Sequence, residues 1–188
     1  MNPTDSIVRW ESTVDASRCG IEIAGLFSGE IWVEAELDRI LGGLAAVHPA
    51  FVLAGFDPGR PSEVAAALSR ASDLHFNARV CIAVDHETLR AVDPLLLRNK
   101  NVGIVLDRVD ASTPLSAISA ELVEAVRFDE GFVLRASTDL RSYCVLDAML
   151  KLARDLGLAT LGQAAAQPGQ HLKNEPEFDY VSTLPTGR

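Results

Sequence analysis

The sequence predicts an α/β protein with parallel strands, a modified and reduced TIM-like (β/α) barrel. Three observations carry that prediction. Short apolar runs recur and end on aspartate, strand and helix signals alternate along the chain, and no glycine-rich phosphate loop follows any strand. The stretch Asn101 to Val133, NVGIVLDRVDASTPLSAISAELVEAVRFDEGFV, shows the pattern best. Val102, Ile104, Val105 and Leu106 form a run too brief for a helix and suited to a strand covered on both faces. Asp107 is expected where that strand leaves the sheet. Leu122 to Phe128 repeats the arrangement and ends at Asp129. The carboxyl ends of parallel strands are where ligands collect, so both aspartates are expected on the functional rim.

Taken in order, Ile7 to Trp10 and Ile21 to Leu26 read as short strands, within an N-terminal part (1–48) that is the hardest to read. Gly29 to Val47 has helical periodicity weakened by Gly42 and Gly43, and His48-Pro49 ends it. Phe51 to Phe56 is a buried strand followed by the turn DPGRP. Ser62 can cap a helix from Glu63 to about Leu74. Arg79 to Val84 is a strand ending at Asp85, and a short helix begins at His86, interrupted by Pro94. Thr138 is expected to cap a helix reaching Leu156, with Leu146, Met149, Leu150, Ala153 and Leu156 as its apolar stripe. Gly157 is its stop. Leu158 to Gly162 and Phe178 to Val181 are the last strands. No linker interrupts this order, so residues 1–188 are expected to form one domain. An open doubly wound sheet also fits the alternation, but a chain of 188 residues without a nucleotide-binding loop favours a reduced barrel.

The composition limits function. A formal net charge of -9 repels phosphates and argues against nucleic acid or an anionic membrane as partner. No run approaches a membrane span and MNPTDSIVRW lacks the regions of a signal peptide, so the cytoplasm is the expected location and membrane insertion is not expected. Cys19, Cys81 and Cys144 have neither zinc nor disulfide spacing and are expected to be small buried hydrophobes.

Asp85, Asp107 and Asp129 end three successive strands, and Asp110 lies in the loop between the last two. Such carboxylates could hold a hard cation such as magnesium, or simply cap loops and helices. Arg108 and Arg127 weigh against the cation by placing fixed positive charge beside them. His48, His75, His86 and His171 form no paired zinc motif. Lys100, Lys151 and Lys173 are not on inner strand positions where a Schiff base would form. No serine sits in a nucleophile elbow, and Trp10 and Trp32 read as packing residues.

From about residue 50 to 183 the order of elements resembles the EAL domain, the family of cyclic di-GMP phosphodiesterases. VGIVLDRVDASTPLSAI is similar to the stretch around that family's LDDFGTG motif, and VRFDEGFV to its LKID strand and turn. LKLARDLGLATLGQAAAQPGQ resembles the segment leading into AEGVET, and FDYV the closing strand. The resemblance implies a modified TIM barrel in which active members use two metal ions to activate water. It also implies that many motif positions have changed. Asp107 stands at the first aspartate of the DD pair, Arg108 replaces the second, and Arg127 takes the place of the lysine. Gln163 and Ala166 occupy the two glutamate positions of AEGVE, and Gln170 matches the glutamine after it. Ala83 falls at a metal-binding glutamate and Gly55 near an asparagine. DSIVRW aligns with EALLRW, placing Asp5 at the signature glutamate and leaving the family's preceding N-terminal strand absent.

The expectation is therefore a catalytically inactive EAL-like domain, without catalytic residues, metal or cofactor, that regulates bacterial signalling through a protein partner. The alternative is a non-hydrolysing cyclic di-GMP receptor in which Asp107, Arg108, Arg127, Gln163 and Gln170 contact the ligand. An unrelated (β/α) enzyme using Asp85, Asp107 and Asp129 is a third reading. Homodimerisation is possible. The loop after the DD position is rewritten, so a dimer is expected to avoid Ser112 to Leu115.

Overall fold

The structure is a computed structural model that describes residues 7–14, 18–24, 51–55, 79–91, 102–119, 121–163 and 176–182. Eight strands close a ring in chain order: β1 (Ile7–Ser12), β2 (Cys19–Ala24), β3 (Phe51–Gly55), β4 (Arg79–Val84), β5 (Val102–Val109), β6 (Val123–Phe128), β7 (Ala159–Gln163) and β8 (Tyr180–Ser182). β1 runs antiparallel to both of its neighbours, β2 and β8. Every other adjacent pair is parallel. The α/β barrel class read from the sequence is present, and the short chain still completes the ring, with β8 only 3 residues long.

Burial on two faces explains the strands' apolar runs. Successive side chains point inward and outward. Trp10, Leu53, Cys81, Ala83, Val105, Ala125, Leu161 and Tyr180 form a cluster inside the ring. The alternate residues, among them Val80, Ile82, Val84, Ile104, Leu106 and Val126, belong to a second cluster with Phe132, Leu146 and Leu150 from the helices. Those helices are α1 (His86–Ala91), α2 (Leu115–Ile118), α3 (Glu130–Thr138) and α4 (Leu140–Asp155).

Four expectations change. β5 continues to Val109, so Asp107 lies within the strand instead of at its exit. α3 occupies residues read from sequence as strand and turn, because Asp129 accepts a hydrogen bond from Phe132 N at 2.8 Å and starts a helix there. Thr138 ends α3 instead of capping the long helix; Asp139 caps α4, accepting from Ser142 N at 2.8 Å. Leu156 is exposed, whereas Leu146, Met149, Leu150 and Ala153 are buried as expected. Gly157 does stop the helix, at φ +73°, a conformation that a Cβ penalises. The helices expected at 29–47 and 63–74, and His171, lie outside the described residues.

The β5–β6 pairing slips twice, between Ile104 and Val105 and between Leu106 and Val109. At the first slip Glu124 is the extra residue on β6; at the second the extra residue is on β5, beside Asp107 and Arg108. Such bulges bend a strand and re-aim side chains. Each here presents charge at one end of the barrel.

Candidate functional site

At the C-terminal end of the barrel three strands contribute to one ionic cluster. Asp107 follows Val105 on the inner face of β5, Arg127 follows Ala125 on β6, and Glu22 lies on β2. Arg127 Nε and Nη2 donate to the two oxygens of Asp107 at 2.6 and 2.7 Å, a bidentate pair. Its Nη1 donates to Glu22 Oε1 at 2.5 Å. The other Glu22 oxygen accepts from Trp10 Nε1 at 3.2 Å. Asp107 also accepts from Arg108 N at 2.7 Å. One guanidinium thus sits between two carboxylates, with an indole behind one of them. Burial works against the Arg127 charge, but the hydrogen bonds and charge of Asp107, then of Glu22, outweigh it and raise its pKa.

Arg108 makes a second, more exposed pair beside the first. Its Nη2 donates to Asp85 Oδ2 at 2.6 Å, joining β5 to the end of β4. Asp85 also accepts from Thr88 N at 2.7 Å and so caps α1. Burial raises the Asp85 pKa, but the Thr88 hydrogen bonds and then Arg108 prevail and hold it below the ordinary carboxylate range. Arg108 has φ +54°, the left-handed region that disfavours a residue with a Cβ. This is the position of the second slip, so the bulge sets the direction of Arg108.

The expected rim is therefore divided. Asp85, Asp107, Arg108 and Arg127 come together. Asp129 is spent on capping α3, and Asp110 on its own loop, accepting from Ser112 N and Oγ at 2.9 and 2.6 Å. Among the described residues no three side chains of the His, Cys, Asp and Glu types converge as a metal's ligands would. Glu22 and Asp107 are the acids best placed for one, and both are already chelated by Arg127. A two-metal centre does not fit that arrangement.

Ala83 belongs to the inner apolar cluster, where a metal-binding glutamate was expected to have been replaced. Gln163 ends β7, and Ala166 and Gln170 lie outside the described residues. Lys151 is exposed and pairs with Asp155 at 2.7 Å. Trp10 is buried, as a packing residue should be, and also orients Glu22. Cys19 and Cys81 are buried as expected, but Cys144 is exposed.

Glu22 was missed, and the misplaced N-terminus is the reason. Aligning DSIVRW with the signature strand required the strand before it to be absent. That strand exists: Ile7–Ser12 is β1, antiparallel, and the first parallel strand is β2. The signature position consequently moves to Glu22-Ile23-Ala24, and Asp5 lies outside the described residues. The available signal was a lone acid within the apolar strand CGIEIA.

No family model and no curated protein matches this sequence. Solved structures do resemble it. The EAL domain of FimX from Pseudomonas aeruginosa, bound to c-di-GMP, is 16% identical with a TM-score of 0.54, over 95% of this chain and 88% of that one. The EAL domain of DcpA from Mycobacterium smegmatis is 15% identical with a TM-score of 0.52, over 97% and 90%. LapD from Vibrio cholerae, an S helix-GGDEF-EAL protein bound to c-di-GMP, is 15% identical with a TM-score of 0.60, over 96% of this chain and 53% of that one. The fold is that of EAL domains; at such identities the chemistry must be argued from the residues.

Proposed function

We propose that this chain is a non-hydrolysing EAL-fold domain that acts in cyclic di-GMP signalling in the bacterial cytoplasm by binding a protein. The single observation that carries this reading is Arg127, whose guanidinium is bound by both Asp107 and Glu22. Hydrolysis by this fold would need those oxygens for metal ions. Here they have a permanent organic cation, which never gives up its charge in the accessible pH range. The absence of a matching glutamate at Ala83 supports the same reading. The acidic chain adds to it, since nucleic acid is a poor partner for a net charge of -9. Among the described residues no helix is long and apolar enough to cross a membrane.

The test is incubation of the whole protein with cyclic di-GMP and either magnesium or manganese, with separation of the products. No linear dinucleotide should form with either metal. Metal-dependent turnover abolished by Glu22→Gln would overturn the reading.

A second reading, a non-hydrolysing receptor for cyclic di-GMP, is favoured by the FimX and LapD structures, both bound to c-di-GMP. In that case Arg108, exposed on the rim, meets a phosphate, near Asp107, Arg127, Gln163 and Gln170. Calorimetry without metal separates the two: micromolar binding that Arg108→Ala weakens would favour the receptor.

A further inference from the structure

α4 is apolar on two faces. Leu146, Met149, Leu150 and Ala153 are buried in the fold. A second stripe, Leu140, Cys144, Ala148 and Leu152, advances by four residues and lines a groove of about 930 Å³. Its other wall comes from the loop after β5 and the start of α2, where Leu115 stands exposed across from the equally exposed Leu140. Large side chains at the ends and small ones at the centre leave room for an approaching helix to sink its own ridge between them. The stripe spans 12 residues, about 18 Å at the rise of an α-helix, so it suits roughly three turns of a partner.

Charge selects the occupant. Arg141 is the charged side chain lining the groove, in a chain with 26 acidic and 17 basic residues. A second copy fits badly. Two α4 helices packed antiparallel about the Cys144–Ala148 centre would set Arg141 opposite Lys151 and bring together two chains of net charge -9. We propose that this groove docks an acidic amphipathic helix of another protein, its apolar face on the Leu140–Leu152 stripe and a carboxylate on Arg141. The inference rests on the protein-binding reading above and names the partner's chemistry.

Cys144 supplies a built-in reporter. It is exposed in the stripe, whereas Cys19 and Cys81 are buried, and burial followed by the Glu124 charge pushes the Cys81 thiol up to about 12. N-ethylmaleimide should therefore modify Cys144 first. The probe is a displayed library of amphipathic helical peptides, with acidic and basic flanks in equal number. It is selected on the whole protein and counter-selected on Ala148→Trp, which fills the groove. Acidic helices should be enriched, bind Arg141→Glu at least tenfold more weakly, and slow Cys144 alkylation at least tenfold. Arg141 and Ala148 are both exposed; circular dichroism checks that each variant folds, and the Arg141→Glu comparison stands alone if Ala148→Trp does not. No enrichment over the filled variant, enrichment of basic helices, or unchanged Cys144 alkylation would each overturn the proposal. So would a sedimenting dimer that Ala148→Trp dissolves, because the groove would then belong to a second copy. Hydrolysis of cyclic di-GMP would defeat the reading above without altering the peptide selection, so the two failures are distinguishable.

Discussion

The two ends of the barrel carry the same device with opposite consequences. At each end a slip in the β5–β6 pairing lies beside a charged residue that forms an arginine–carboxylate pair. At the N-terminal end Glu124 pairs with Arg79, whose Nε donates to Glu124 Oε2 at 3.0 Å. The Glu124 carboxylate lies over Gly103, where a Cβ would stand 2.5 Å from Oε2; this is why a glycine is needed there. At the C-terminal end Asp107 pairs with Arg127, which also holds Glu22. The difference is solvent. The side chains of Arg79 and Glu124 remain 36% and 44% exposed, against 19%, 11% and 14% for Arg127, Asp107 and Glu22. Water screens the first pair to little net value, whereas the second must be complete, because any member left alone is a charge without a partner.

The largest effect expected from that contrast is on stability. Arg127→Met leaves Asp107 and Glu22 facing each other partly buried, and should cost about 3–5 kcal/mol in urea unfolding. Arg79→Met should cost no more than about 1 kcal/mol. Equal losses would erase the distinction between the ends.

Arg108 sharpens the comparison, because it adds backbone strain that the other end lacks. Arg108→Gly removes about 1–2 kcal/mol of left-handed strain and gives up an exposed pair with Asp85 worth about 0–1 kcal/mol. The replacement should be neutral or stabilising by up to about 1 kcal/mol. A loss of several kcal/mol would mean that the Arg108–Asp85 pair counts as strongly as the Arg127 cluster.

The smallest effect is on pH dependence. The folded-state pKa of Asp85 is lowered, so its contribution is fully present above the unfolded carboxylate value of about 3.9 and is lost as pH falls through the folded value. Wild type and Asp85→Asn should therefore differ in midpoint at pH 7 and converge below about pH 4. A difference that persists at pH 2.5 would show that capping geometry, and not charge, supplies the gain.

What the sequence revealed and what it hid differ in range. Strands buried on both faces announce themselves by runs such as VGIVL and VCIAV, so the class of the fold and the rim positions of Asp85, Asp107, Arg108 and Arg127 were legible. α3 was not, since Gly131, Phe132 and Val133 are poor helix formers whose placement is decided by the Asp129 cap and by packing against the barrel. The choice between Thr138 and Asp139 turned on neighbouring residues that can both cap. The Glu22–Arg127 contact spans 105 residues, and no local pattern encodes it. Recognising it required knowing that β1 is reversed, which moves every N-terminal position by one strand.

That reversed strand has a consequence for biosynthesis. β1 is joined on one side to β2 and on the other to β8, with Trp10 facing Ser182. A nascent chain can build β2 through β7 one neighbour at a time as it leaves the ribosome, but the seam cannot be sewn until the last strand emerges. Until then β1 has one open edge, and the interval before closure is when this chain is most exposed to capture by another strand.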